Sequence, residues 1–184
     1  MRLAVLFPGI GYHCDKPLLY YSRKLAANYG FEIAEVPYGG FQRDIKGSEE
    51  RMHEAFESAL MQAEQMLEHV TFSRYETVLF VSKSIGTAVA GTYDAKYGIC
   101  AHHIFYTPVE ASLPVMHNGI VFHGTADPWA GAEIIQRGCR EKELPCYSYE
   151  AANHSLETGN VQNDLKNMQD IMEKTEKYIR ELAE

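Results

Sequence analysis

Apolar residues in this chain fall into short unbroken runs, separated by longer stretches in which they recur every three or four positions. Residues 3–7, Leu-Ala-Val-Leu-Phe, form the first run. Its lack of alternation fits a strand covered on both faces. Residues 16–29 place Leu18, Leu19, Tyr21, Leu25 and Ala26 at helical spacing, and Gly30 follows where a helix end favours a residue lacking Cβ. Residues 31–36 predict a second strand, broken by Pro37, and the polar stretch 42–47 predicts an exposed connection. Ser48 is placed to cap a long helix. Glu49 and Glu50 sit in its first turn, and Met52, Phe56, Ala59, Ala63, Met66 and Val70 make its apolar stripe.

The same reading gives strands over 78–81, 101–106, 119–123 and 146–149. Small residues after Gly86 predict a helix stopping near Tyr97 and Gly98. Residues 130–142 predict another helix, weakened by Gly138, and an amphipathic helix begins at Asn160. The two prolines in 107–114 predict an irregular loop bordering a pocket. Strands alternating with helices imply an α/β fold: a single domain over 1–184, doubly wound, with a mostly parallel sheet of about six strands and helices on both faces.

Composition narrows the function classes. At 184 residues and 46% hydrophobic content the chain supports one substantial core. The formal charge of −8, from 17 basic against 25 acidic residues, comes without a basic stripe, so neither nucleic acid nor a membrane surface is an expected partner. The apolar start is too short for a signal core or a membrane span, which predicts a cytoplasmic protein. Cys14, Cys100, Cys139 and Cys146 contain no Cys-x-x-Cys pair, and no disulfide is expected. His102 and His103 point to opposite faces of a strand and the other histidines lack close ligand spacing, so neither a metal nor a cofactor is expected.

Candidate chemistry lies at the strand ends. The third run closes in Ser82-Lys83-Ser84-Ile85-Gly86, read as strand, sharp turn, helix. Such a turn lifts a hydroxyl off the sheet, and the next backbone N–H faces the reacting carbonyl. Ser84 is the predicted nucleophile, since the crowded positions two before and two after it hold the small residues Ser82 and Gly86. Ser82 is the rival, but its own flank at Phe80 is bulky. Asp127 follows the run 119–123, and His154 follows the strand 146–149. The order Ser, Asp, His, each just past a strand, suits a nucleophile, an orienting acid and a base. Glu150 is the rival acid. Ile85 N–H is one oxyanion donor. Tyr12, Tyr38 and Trp129 are candidates to wall the pocket, with Thr107 on the bordering loop, and Lys83 is read as a solvated side chain or, alternatively, a contact for an anionic substrate group.

With these motifs the chain resembles the alpha/beta-hydrolase superfamily, in particular its small, capless esterase-like members. The resemblance implies the strand order 2-1-3-4-5-6 and no lid domain. It also implies a second oxyanion donor from the loop after the first strand, at Ile10 or, more loosely, Gly11 or Tyr12. The expected activity is that of a serine hydrolase on a small acyl ester or thioester. The competing reading is a nucleotide-binding or non-catalytic binding protein on the same fold, since Gly9-x-Gly11 follows the first strand and Glu35 ends the second.

Overall fold

The computed structural model describes residues 1–184 apart from Gln42, Arg43, Asp44 and Lys46. Six strands, β1 (Arg2–Phe7), β2 (Phe31–Glu35), β3 (Thr77–Lys83), β4 (His102–Tyr106), β5 (Gly119–Gly124) and β6 (Cys146–Tyr149), form one sheet in the order β2-β1-β3-β4-β5-β6. Every neighbouring pair is parallel. The helices are α1 (Pro17–Asn28), α2 (Glu49–Leu67), α3 (Ile85–Tyr97), α4 (Ala132–Glu141) and α5 (Val161–Ala183). The expected architecture and strand order are those observed. Of the connection expected over 42–47, only buried Ile45 and exposed Gly47 lie within the described residues.

Strand parity sorts the core into two layers. Ala4, Leu6, Leu79, Val81, Ile104 and Tyr106 face α1 and α5, against Leu18, Leu19, Ile171 and Ile179. Val5, Phe7, Val78 and Phe80 face the other way, onto Ala59 and Ala63 of α2 and Val89 and Tyr93 of α3. Phe105 and Val121 extend that second layer to Ile135 and Cys139 of α4. Burying both faces is why the strands read as unbroken apolar runs.

Helix ends follow the local chemistry. Ser48 caps α2, its hydroxyl accepting from Arg51 N–H at 3.3 Å, and Asn160 caps α5 by accepting from the N–H groups of Gln162 and Asn163. The loop expected over 107–114 instead contains a 3-10 turn, Glu110–Val115, which holds Pro114. Gly138 does not interrupt α4. A Cβ there would come within 2.6 Å of Leu113 Cδ2, so the glycine lets the 3-10 turn pack against the helix. All four cysteines are free thiols. Among the described residues no helix is long and apolar enough to cross a membrane.

Register positions the site. Phe7 pairs with Ser82, so β1 and β3 end level, and the turn after β1 lies against the turn after β3. A Cβ at Gly86 would fall within 2.5 Å of the Pro8 carbonyl oxygen and closer still to that of Phe7. Gly86→Ala is therefore expected to push these two turns apart. It should lower stability by about 1–3 kcal/mol, read as a lower urea midpoint at unchanged slope.

Candidate active site

Ser84 sits between β3 and α3 with φ 57° and ψ −127°, a left-handed conformation that is costly for a residue with a side chain. Surrounding bonds hold it there. Its N–H donates to the Tyr106 carbonyl at 3.0 Å, and its own carbonyl accepts from Thr87 N–H at 2.9 Å and Thr87 Oγ1 at 2.6 Å. Thr87 Oγ1 also lies 2.5 Å from Ser112 Oγ, tying the turn to the 3-10 segment.

A continuous polar chain starts at this hydroxyl. Ser84 Oγ is 2.8 Å from His154 Nε2, and His154 Nδ1 is 2.7 Å from Asp127 Oδ2. The second carboxylate oxygen, Asp127 Oδ1, accepts from Trp129 N–H at 2.8 Å. Burial alone would raise the Asp127 carboxyl. The hydrogen bonds from His154 and Trp129 N–H, with the charges of His154 and Lys83, outweigh burial and hold the pKa below the usual carboxylate value. Asp127 is thus an acceptor at neutral pH, which suits Nδ1–H on the ring and leaves Nε2 to meet the serine.

The loops carrying Asp127 and His154 are joined. Thr125 N–H donates to Tyr149 O at 2.9 Å, and Ala126 N–H donates to Ala152 O at 3.0 Å. Gly124 admits this approach, since a Cβ there would lie 2.7 Å from Asn153 O. Glu150, the rival acid, is exposed on the turn, and the carboxylate on His154 is that of Asp127. Ser82, the rival nucleophile, is buried and donates to Ile104 O at 3.2 Å. Its hydroxyl is thereby satisfied within the crowded turn.

The turn after β1 forms the facing wall. Gly9 and Tyr12 exchange backbone bonds of 3.0 and 3.2 Å, so the N–H of Tyr12 is committed to Gly9 O, which narrows the oxyanion candidates in this loop to Ile10 and Gly11. A Cβ at Gly9 would meet Ser84 Cβ at 3.1 Å, a measure of how closely this loop approaches the elbow. The buried Tyr38 hydroxyl donates to Pro8 O and so anchors the loop. This anchor is absent from the sequence reading, in which Tyr38 is a candidate for the pocket wall.

A cleft of ≈ 580 Å³ opens above Ser84, and Ile10, Gly11, Tyr12, Ile85, Trp129 and His154 are among its lining residues. Tyr12 and Trp129 thus stand where the sequence places them. Thr107 does not. It is fully buried at φ 40°, and its hydroxyl donates to the His154 carbonyl at 3.0 Å, which makes it a support for the histidine loop. Lys83 is the second correction. It is 1% exposed, with Nζ 5.0 Å from the centroid of the Tyr12 ring. Lys83 shares strand parity with Leu79 and Val81, which face α1 and α5, and that signal was available in the sequence.

The competing nucleotide reading finds little to stand on. The helix after the glycines begins only at Pro17, and Glu35 is ion-paired with Arg23. No helix N-terminus therefore follows Gly9 and Gly11 directly to receive a phosphate.

A six-stranded parallel sheet in this order, with a serine elbow after β3 and the aspartate and histidine loops after β5 and β6, is the alpha/beta-hydrolase fold. No protein-family model and no curated protein sequence matches the chain. Solved structures do match. A serine hydrolase without a lid from Xanthomonas campestris superposes with a TM-score of 0.68 at 10% identity, covering 98% of this chain and 81% of its own. A serine hydrolase homologue from Coxiella burnetii gives 0.66 at 10% identity, covering 95% and 84%. Est1E from Butyrivibrio proteoclasticus, solved with ferulic acid bound, gives 0.69 at 8% identity, covering 99% and 89%.

Proposed function

We propose that the chain is a serine hydrolase of the alpha/beta-hydrolase superfamily, acting on a small acyl ester or thioester through a covalent acyl-enzyme. The observation that carries this reading is the unbroken chain Ser84 Oγ, His154, Asp127 at 2.8 and 2.7 Å, starting from a serine held at positive φ. Ser84 Oγ attacks the acyl carbon while His154 Nε2 takes its proton and then returns it to the leaving oxygen or sulfur. Asp127 keeps the ring in the working tautomer and stabilises the imidazolium. Ile85 N–H, at the start of α3, and Ile10 N–H from the facing loop receive the developing oxyanion, each contributing about 3 kcal/mol. Water deacylates the enzyme by the same proton path.

The cleft supports a substrate with an uncharged acyl part. Ile10, Met52, Ile85 and Val109 make its walls apolar. An apolar groove of ≈ 670 Å³ between α2 and α3 shares Met52, Ile85, Val109 and Ala111 with the cleft and continues to Phe56 and Ala88. The acyl group occupies the cleft, with Met52 and Ile85 at the point where a longer chain passes into the groove. Met52→Trp is expected to close this passage. A series of p-nitrophenyl esters from acetyl to hexanoyl tests it: kcat/KM should fall about tenfold for hexanoyl and stay near wild type for acetyl. An equal loss on every ester would place the acyl group elsewhere.

A further inference from the structure

At the other end of the sheet, where β4 begins, Asp94 of α3, His103 of β4 and His117 of the segment before β5 converge. His103 Nε2 is 2.8 Å and His117 Nε2 3.0 Å from the same oxygen, Asp94 Oδ2, and all three ligand atoms lie within 4.8 Å of one another. The side chains of Asp94 and His103 are 2% and 0% exposed, whereas that of His117 is 45% exposed, so the cluster opens to solvent on one side.

The hydrogen bonding of His117 makes this more than a polar contact. Its Nδ1 is 3.0 Å from the Val115 carbonyl, which accepts only, so Nδ1 carries the proton. Nε2 is then joined to the carboxylate oxygen 3.0 Å away by a cation, either the ring's own second proton or a metal ion held between them. His103 Nε2 points at the same place. Its Nδ1 is buried without a partner among the described residues, so with the His103 proton moved to Nδ1 and a metal ion taken up at Nε2 the ring still has one unmet nitrogen, as before.

We propose that Asp94, His103 and His117 bind a divalent transition ion of the Zn²⁺ type. Two imidazole nitrogens and a carboxylate oxygen are a normal zinc donor set, with water from the His117 side as the fourth ligand. Tetrahedral ligands at zinc distances lie about 3.3 Å apart, so the observed separations to Asp94 need widen by only a few tenths of an ångström. Outer contacts orient the donors. Val115 O fixes the His117 tautomer, and Ala101 N–H donates to both oxygens of Asp94, at 3.1 and 3.3 Å.

This site is not legible in the sequence, where no metal is expected, because its three ligands come from three elements with no short spacing. The ion would pin the end of α3 to β4 and to the connection into β5, away from Ser84, so the proposal stands apart from the proposed hydrolase activity. Thermal unfolding of the full chain, stripped with EDTA and then titrated with Zn²⁺, tests it. The midpoint should rise by about 5–10 °C at a hundredfold excess of free ion over Kd. Co²⁺ should give the visible absorption of a tetrahedral ion. His117→Ala, at the open side of the cluster, should remove both signals, while His69→Ala, at an exposed histidine that is not part of the cluster, should keep them. An unmoved wild-type midpoint overturns the proposal, as does a zinc response that survives in His117→Ala.

Discussion

Ser84→Ala is expected to lower kcat for an activated ester by about 10⁴- to 10⁶-fold while leaving the unfolding midpoint within a degree or two of wild type. The variant keeps the backbone bonds that hold the elbow, Ser84 N–H to Tyr106 O and Thr87 N–H to Ser84 O, since neither uses the hydroxyl. What disappears is the hydroxyl oxygen 2.8 Å from His154 Nε2. Residual turnover above the uncatalysed rate would come from the oxyanion donors and from binding. A loss of only a few fold, on protein that unfolds normally, would remove Ser84 from the chemistry.

Asp127→Asn is expected to cost on the order of 10⁴-fold in kcat with a much smaller change in KM. An amide in place of Oδ2 presents a donor to His154 Nδ1, favouring the tautomer that puts the proton on Nε2, and the ring then cannot accept from Ser84. Steady-state kinetics at neutral pH reads this directly. The substitution has a second consequence, in stability. The folded-state pKa of Asp127 lies below its ordinary value, so the ionised carboxylate contributes stability that is fully present above about pH 4 and is lost as pH falls through the folded pKa. Asp127→Asn should therefore be less stable than wild type at neutral pH, with the difference narrowing in acid. Equal urea midpoints at pH 7 would count against the bonded carboxylate.

The sheet was legible because burial on both faces leaves a one-dimensional mark, the unbroken apolar run, and β1, β3 and β5 each carry it. Ser84 and Asp127 were legible because each follows such a run and His154 because it follows the short strand β6, and the structure brings the three side chains together. The supporting residues were not. Tyr38 reaches Pro8 O and Thr107 reaches the His154 carbonyl across long sequence separations, and nothing local distinguishes these hydroxyls from others. Lys83 illustrates a different failure: its charge argued for solvent, but strand parity and the ring of Tyr12 place it inside. A lysine with an apolar stem can be buried where the head finds suitable company. Pro114 reads as part of an irregular loop, yet it lies within a 3-10 turn, which tolerates the proline; Gly138, read as weakening its helix, is instead what close packing on Leu113 requires.

Intact mass after incubation with a fluorophosphonate, on wild type and Ser84→Ala side by side, tests nucleophile activation without the natural substrate. An activated Ser84 predicts a single covalent adduct on the wild type, quenched by acid or by prior acylation, and none on the variant. Folded wild-type protein that stays unlabelled, or a variant that labels as readily, would contradict a serine hydrolase built on Ser84, His154 and Asp127.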